Sequence, residues 1–201
     1  MVLENLKVKE VNGTMFQSKF LEAFTRTNPI LHIITYGSFM AWCFWMNRAN
    51  LFESILFYLL GMLVWTLKEY LLHRFLFHIP PSRFQYIIHG IHHEFPRDKE
   101  RLLMPPLPGT IIFLVFITLW WIILRENVFI FLAGLLSGYL FYTALHFIVH
   151  AYKPIKPFKF FWRHHLKHHN PKFEDKAFGV STSMWDRVFD TMPVEQTITK
   201  Q

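Results

Sequence analysis

Long apolar runs alternate with short polar breaks along the chain, and four runs stand out: Ile30 to Met46, Leu51 to Leu67, Leu107 to Leu124 and Val128 to Leu145. Each is about 17 or 18 residues long, just enough for a helix to cross a bilayer core. A core helix of a soluble all-α protein keeps a polar stripe for water, whereas TIIFLVFITLWWIIL is apolar all round. The pattern predicts an all-α integral membrane protein with four transmembrane helices, at about 30–46, 51–72, 107–124 and 128–146. Prolines mark the edges: Pro29 before the first run, Pro80 and Pro81 in the central loop Leu72 to Pro106, Pro105, Pro106 and Pro108 before the third run, Pro154 and Pro157 after the fourth. Ser183 with Asp186 three residues on reads as a capping box opening a short helix, SMWDRVFD. The segment before Ile30 has no apolar h-region and no small-residue cleavage site, so a mature start at or near Met1 is expected.

Composition fits this pattern. Of 201 residues, 52 % are hydrophobic and 17 % charged, which excludes a disordered chain. The lone Cys43 excludes a disulfide scaffold. The formal charge is +7, and the hydrophobicity argues for a membrane surface as the partner and against nucleic acid. The two short turns, Asn47 to Asn50 and Arg125 to Asn127, hold only Arg48 and Arg125 of the 21 basic residues. Both termini and the central loop are therefore expected in the cytosol. Residues 1–29 read as a cytosolic N-terminal segment and 30–201 as a single domain, its spans paired in two hairpins under a cytosolic cap.

Histidine changes the picture most. Ten of the 12 histidines form four groups: His73 and His78; His89, His92 and His93; His146 and His150; His165, His168 and His169. All four fall on the cytosolic side of a topology set by lysine and arginine alone. Residues three and four apart share a helix face, so three of the groups carry metal-ligand spacing. His73 and His78 are five apart, which predicts that the helix ends or loosens between them. One ion accepts four to six ligands, so ten imidazoles imply two ions. Neighbours such as His92 and His93 point about 100° apart, which lets each reach a different ion. Neutral imidazoles suit iron, copper, nickel and zinc; redox chemistry requires iron, while zinc can fill the same site in an inactive preparation. His32 reads as a core histidine, and His164 as a group supporting a ligand. Glu69, Glu94, Asp98 and Asp186 lie near the groups and are candidates for fixing imidazole tautomers. Lys153, Lys156, Lys159 and Arg163 suit an acidic electron carrier, and the positive-inside bias explains them equally well.

HRFLFH (His73 to His78), HGIHHEFPRDKERLLMPP (His89 to Pro106), HFIVH (His146 to His150) and HHLKHH followed by FGVSTSMWDRVFDT resemble the membrane fatty acid hydroxylase superfamily, most closely its fatty acid 2-hydroxylase branch. The resemblance spans about residues 55 to 193. It implies a fatty acid hydroxylase domain with a histidine-rich dimetal cap, the ten grouped histidines as ligands, O2 as oxidant and a lipid acyl substrate entering from the bilayer. The hydroxyl goes on the carbon next to the acyl carbonyl, commonly in sphingolipids. Eukaryotic members often carry a fused cytochrome b5 domain. The roughly 30 residues before the first span do not hold one, so a separate electron donor of cytochrome b5 or ferredoxin type is expected. The membrane is the endoplasmic reticulum or a bacterial inner membrane. Acyl desaturases and sterol or carotenoid oxygenases share HxxxxH and HxxHH, but HFIVH and PRDKERLLMPP speak for the hydroxylase. A non-enzymatic metal transporter or sensor needs ionisable groups near the bilayer centre, and the third run has none.

Overall fold

A computed structural model of the chain describes residues 14–193, and every regular element among them is helical. The α-helices are α1 (Lys19–Ala23), α2 (Pro29–Met46), α3 (Leu51–Leu72), α4 (Arg83–Gln85), α5 (Ile91–Glu94), α6 (Pro106–Leu124), α7 (Val128–Ala151), α8 (Lys159–His168) and α9 (Met184–Val188). Two π-helical segments, His73–Phe77 and Tyr86–Gly90, lie between α3 and α5.

Local chemistry sets the ends of the long helices. Asn28 accepts a hydrogen bond from the Ile30 amide at 2.7 Å, and Pro29 takes the first helical position, where a missing N–H costs nothing. Asn50 caps α3 through the Glu53 amide at 2.9 Å. Arg125, left-handed at φ 50°, turns the chain from α6 into α7. The last helix, α7, runs to Ala151, past its predicted end near 146, because His146, Val149 and His150 are buried beneath the segments that follow. The predicted capping box at Ser183 is not made. The Ser183 side chain caps nothing, and Asp186 turns instead toward the amides of Phe178 and Gly179, both at 2.9 Å.

Ring and side-chain contacts fix the directions of the four long helices. On α2, His32 reaches the Met104 carbonyl just before α6, and Phe39 stacks on Phe113 at 4.7 Å, so α2 and α6 run the same way. Tyr58 Oη donates to Ser137 Oγ at 3.0 Å and Trp65 lies 5.9 Å from Tyr142, so α3 and α7 also run the same way. Tyr36 against Tyr139 and Trp42 against Phe129 set α2 opposite to α7. The ends of α3 and α7 thus lie together with the starts of α2 and α6. The central segment and α8–α9 cover that end of the bundle.

Helix α7 is the inner element, with Phe131, Leu132 and Ala133 almost wholly enclosed. The outer faces are apolar: Ile33, Ile34 and Trp45 on α2, Leu51, Phe52 and Leu59 on α3, and Ile111, Leu114, Ile122 and Ile123 on α6 are all exposed. Water does not tolerate so continuous an apolar surface on a single chain. Stretches within Leu51–Phe77 and Lys99–Ala151 are long and apolar enough to cross a membrane by length and composition.

The contact between α3 and α7 is backbone against backbone. A Cβ at Gly61 would overlap the Phe131 carbonyl oxygen, and one at Gly134 would overlap that of Tyr58. Main-chain atoms on both sides leave no flexible side chain to yield. Gly134→Ala is therefore expected to destabilise the protein by about 1–3 kcal/mol, the cost typical of overpacking. Thermal unfolding of the purified variant checks this, with a lowered midpoint expected.

Candidate metal centre

The capped end of the bundle gathers the histidines. Past Leu72 the helix widens into the π-helical turn His73–Phe77, whose i→i+5 bonding brings residues five apart toward one side. This is the loosening that the spacing of His73 and His78 predicts. The segment Tyr86–Gly90 then delivers His89, and α5 continues it with His92 and His93. His146 and His150 lie one turn apart on α7. His165 and His168 come from α8, and His169 follows at its C-cap.

These side chains converge in two adjoining groups. His73, His78, His89, His93 and His168 form the first, and His92, His150, His165 and His169 the second; within each group the ligand nitrogens all lie within 4.8 Å of one another. His146 stands at the edge of the second group, its Nε2 3.1 Å from that of His92 and its ring 4.9 Å from that of His165. Adjacent residues divide between the groups: His92 from His93, and His168 from His169. The groups touch where the rings of His93 and His169 lie 4.3 Å apart. All ten grouped histidines of the sequence meet here. His32 lies apart, against Tyr36 and Tyr139, and His164 faces Asp186 at 3.0 Å.

Backbone carbonyls set the tautomers. His73 Nδ1–H donates to Phe178 O at 2.6 Å, His168 Nδ1–H to Lys176 O at 2.8 Å, and His146 Nδ1–H to Leu102 O at 3.0 Å. A carbonyl can only accept, so the proton sits on Nδ1 and the Nε2 lone pair faces the cluster. The carboxylates singled out in the sequence do other work. Glu69 accepts from the Val180 and Ser181 amides at 2.6 and 2.8 Å, Asp98 pairs with Arg101 at 2.5 Å, and Tyr86 donates to Glu94 at 2.9 Å. Arg101 also bonds Glu22, which ties α1 to the segment whose Leu102 carbonyl holds His146. Such carbonyls leave no mark in a sequence, since every residue has one. The sole signal is the PRDKERLLMPP run itself, whose acid–base pair holds Leu102 in place.

Electrostatics keep the cluster neutral. Burial, and then the surrounding imidazoles, hold His89, His92, His165, His168 and His169 well below the ordinary histidine range, and His93 falls to about 3. Nε2 atoms of different rings also lie face to face, at 2.8 Å (His150 with His165) and 2.9 Å (His78 with His168; His89 with His93). The Nδ1 atoms of His92, His165 and His169 are buried without a hydrogen-bond partner. An arrangement of nitrogen donors desolvated and converging in this way is one that transition-metal cations of the iron-to-zinc series stabilise.

The fatty acid hydroxylase family model matches residues 58–191, a stretch that contains all ten grouped histidines. The chain belongs to the fatty acid hydroxylase family. Relatives in the family include a fatty acid 2-hydroxylase of Rattus norvegicus, 35 % identical over 90 % of this chain and 57 % of its own length. A dihydroceramide fatty acyl 2-hydroxylase of Arabidopsis thaliana, FAH1, is 33 % identical over 92 % of this chain and 82 % of its own length. The chain thus spans little more than half of the mammalian relative. Among solved structures, full-length Scs7p, with only its hydroxylase domain visible, matches with a TM-score of 0.75 at 33 % identity, over 87 % of this chain and 70 % of that one.

Buried neutral imidazoles make stability depend on pH. The unfolded chain takes up protons on histidine below about 6.5, whereas the folded cluster resists them, so the unfolded state binds more protons as pH falls. In metal-stripped protein the unfolding midpoint is therefore expected to drop between about pH 7 and 5. Thermal scans across that range check it; a flat profile would contradict neutral burial.

Proposed function

We propose that this chain is a membrane-bound, O2-dependent dimetal lipid hydroxylase that 2-hydroxylates the acyl chain of fatty acids or sphingolipids. The observation that carries the reading is the meeting of ten imidazoles in two adjoining groups, three of them with the lone pair aimed inward by a backbone carbonyl. The names of the relatives, fatty acid 2-hydroxylase and dihydroceramide fatty acyl 2-hydroxylase, support the substrate class and the position. In this reading His73, His78, His89, His93 and His168 hold one ion and His92, His146, His150, His165 and His169 the other. Iron is the ion of the active form, and zinc fits the same nitrogen set. When bound, two iron ions supply the activation of O2 that side chains alone cannot provide.

The protein's own part is to orient the nitrogens, exclude water and present one methylene. Helices α2, α3, α6 and α7 are the four spans, and the cap with both termini lies on the cytosolic side, as the distribution of lysine and arginine supports. The metal centre then sits beneath the lipid headgroups, where an acyl chain arrives from the bilayer. An electron donor of cytochrome b5 or ferredoxin type docks on the exposed Lys153, Lys156, Lys159 and Arg163, the last two on the helix that carries His165 and His168.

Lipid mass spectrometry of cells with and without the protein tests the reading. A gain of one oxygen at the carbon next to the acyl carbonyl is expected; a loss of two hydrogens would mark a desaturase and overturn it. His92→Ala and His168→Ala, one from each group, are each expected to lower product about 100-fold or more while the protein still inserts. Unchanged product in both would remove the site assignment.

A further inference from the structure

The segment 176–181 makes a continuous set of hydrogen bonds that the proposed reaction does not itself require. Its amides are all occupied. Ala177 N–H donates to Thr191 O at 2.9 Å, Phe178 and Gly179 to the two oxygens of Asp186 at 2.9 Å each, and Val180 and Ser181 to Glu69 Oε1 at 2.6 and 2.8 Å. Ser181 Oγ–H adds a bond of 2.5 Å to Glu69 Oε2. Two of its carbonyls, Lys176 O and Phe178 O, accept from His168 and His73. Ala177 between them is fully buried and left-handed at φ 59°, a conformation an alanine holds only when its surroundings impose it.

Both carboxylates are enclosed, Glu69 at 4 % exposure and Asp186 at 0 %. Asp186 takes four donors: besides the two amides, Thr191 Oγ1–H at 2.8 Å and His164 Nε2–H at 3.0 Å. Because the Thr191 proton goes to Asp186, Tyr70 on α3 is the donor in its 3.0 Å bond to Thr191. The segment is therefore clamped to α3 by Glu69 and Tyr70, and to α8 by His164 through Asp186.

His73 and His168 both belong to the first histidine group, while the carbonyl partner in the second is Leu102, on a different segment. We infer that Glu69 and Asp186 are positioning residues for one ion of the pair: they lock the strap 176–181 so that its two carbonyls hold His73 and His168 in metal-binding orientation, while no hydrogen bond of theirs reaches a ring of the second group. This rests on the two-ion reading above.

The test is zinc stoichiometry of the purified full chain after reconstitution with Zn2+, read by elemental analysis. The unchanged protein is expected to bind two zinc ions; if it binds none, the two-ion reading itself fails. Glu69→Ala leaves two amides and a hydroxyl without an acceptor, and Asp186→Asn sets an NH2 donor against two of the four donors, since each carboxylate oxygen accepts two. Each is expected to weaken one zinc about 10- to 100-fold and to retain the other, which doubles as the measure of an intact fold. Glu69→Gln keeps one oxygen for the two amides and turns its NH2 toward Ser181 Oγ, which can accept, so it is expected to keep both ions. Retention of both ions in Glu69→Ala and Asp186→Asn, or loss of both together, would overturn the inference.

Discussion

Everything at the capped end of the bundle answers to one constraint: ten imidazoles are packed together, seven of them buried and the other three half-buried, with their ring nitrogens converging. Each nitrogen so placed forfeits its bonds to solvent, and nitrogens about 3 Å apart repel one another unless a proton or a cation stands between them. The π-helical turn after α3 and the length of α7 are the means by which the chain gathers these groups. The carbonyls of Leu102, Lys176 and Phe178 then fix the rings of His146, His168 and His73, and so decide which of their nitrogens faces inward. Transition-metal chemistry is the use that best suits such a cluster, and membership in the fatty acid hydroxylase family agrees with it.

The bundle serves that end of the molecule. With α2 and α6 running one way and α3 and α7 the other, two helix C-termini and two N-termini meet at the histidines. The exposed apolar faces of α2, α3 and α6 need a solvent other than water.

Much of this is legible in the sequence. Apolar runs and proline placement give the long helices to within a few residues, and the odd spacing of His73 and His78 signals a loosened helix. Where the reading falls short, the cause is physical. Asp186 follows the capping-box pattern, but four buried donors around it outcompete a helix N-terminus. Helix α7 outruns its apolar stretch because burial beneath the cap, not hydrophobicity, sustains its last turns. Glu69 and Asp98 stand near histidines in the sequence without touching them in space; main-chain oxygens do that work, and no residue type announces them.

The glycine contact between α3 and α7 bears on how far apart the two histidine groups lie. One helix leads directly into His73 and the other carries His150. With bare main chains touching at Gly61 and Gly134, the gap between their axes is the thickness of two stripped helices, a length that neither rotamer changes nor conservative drift in side-chain size can alter. The spacing of the two histidine groups is in that sense gauged several turns away, by a ruler made of peptide backbone.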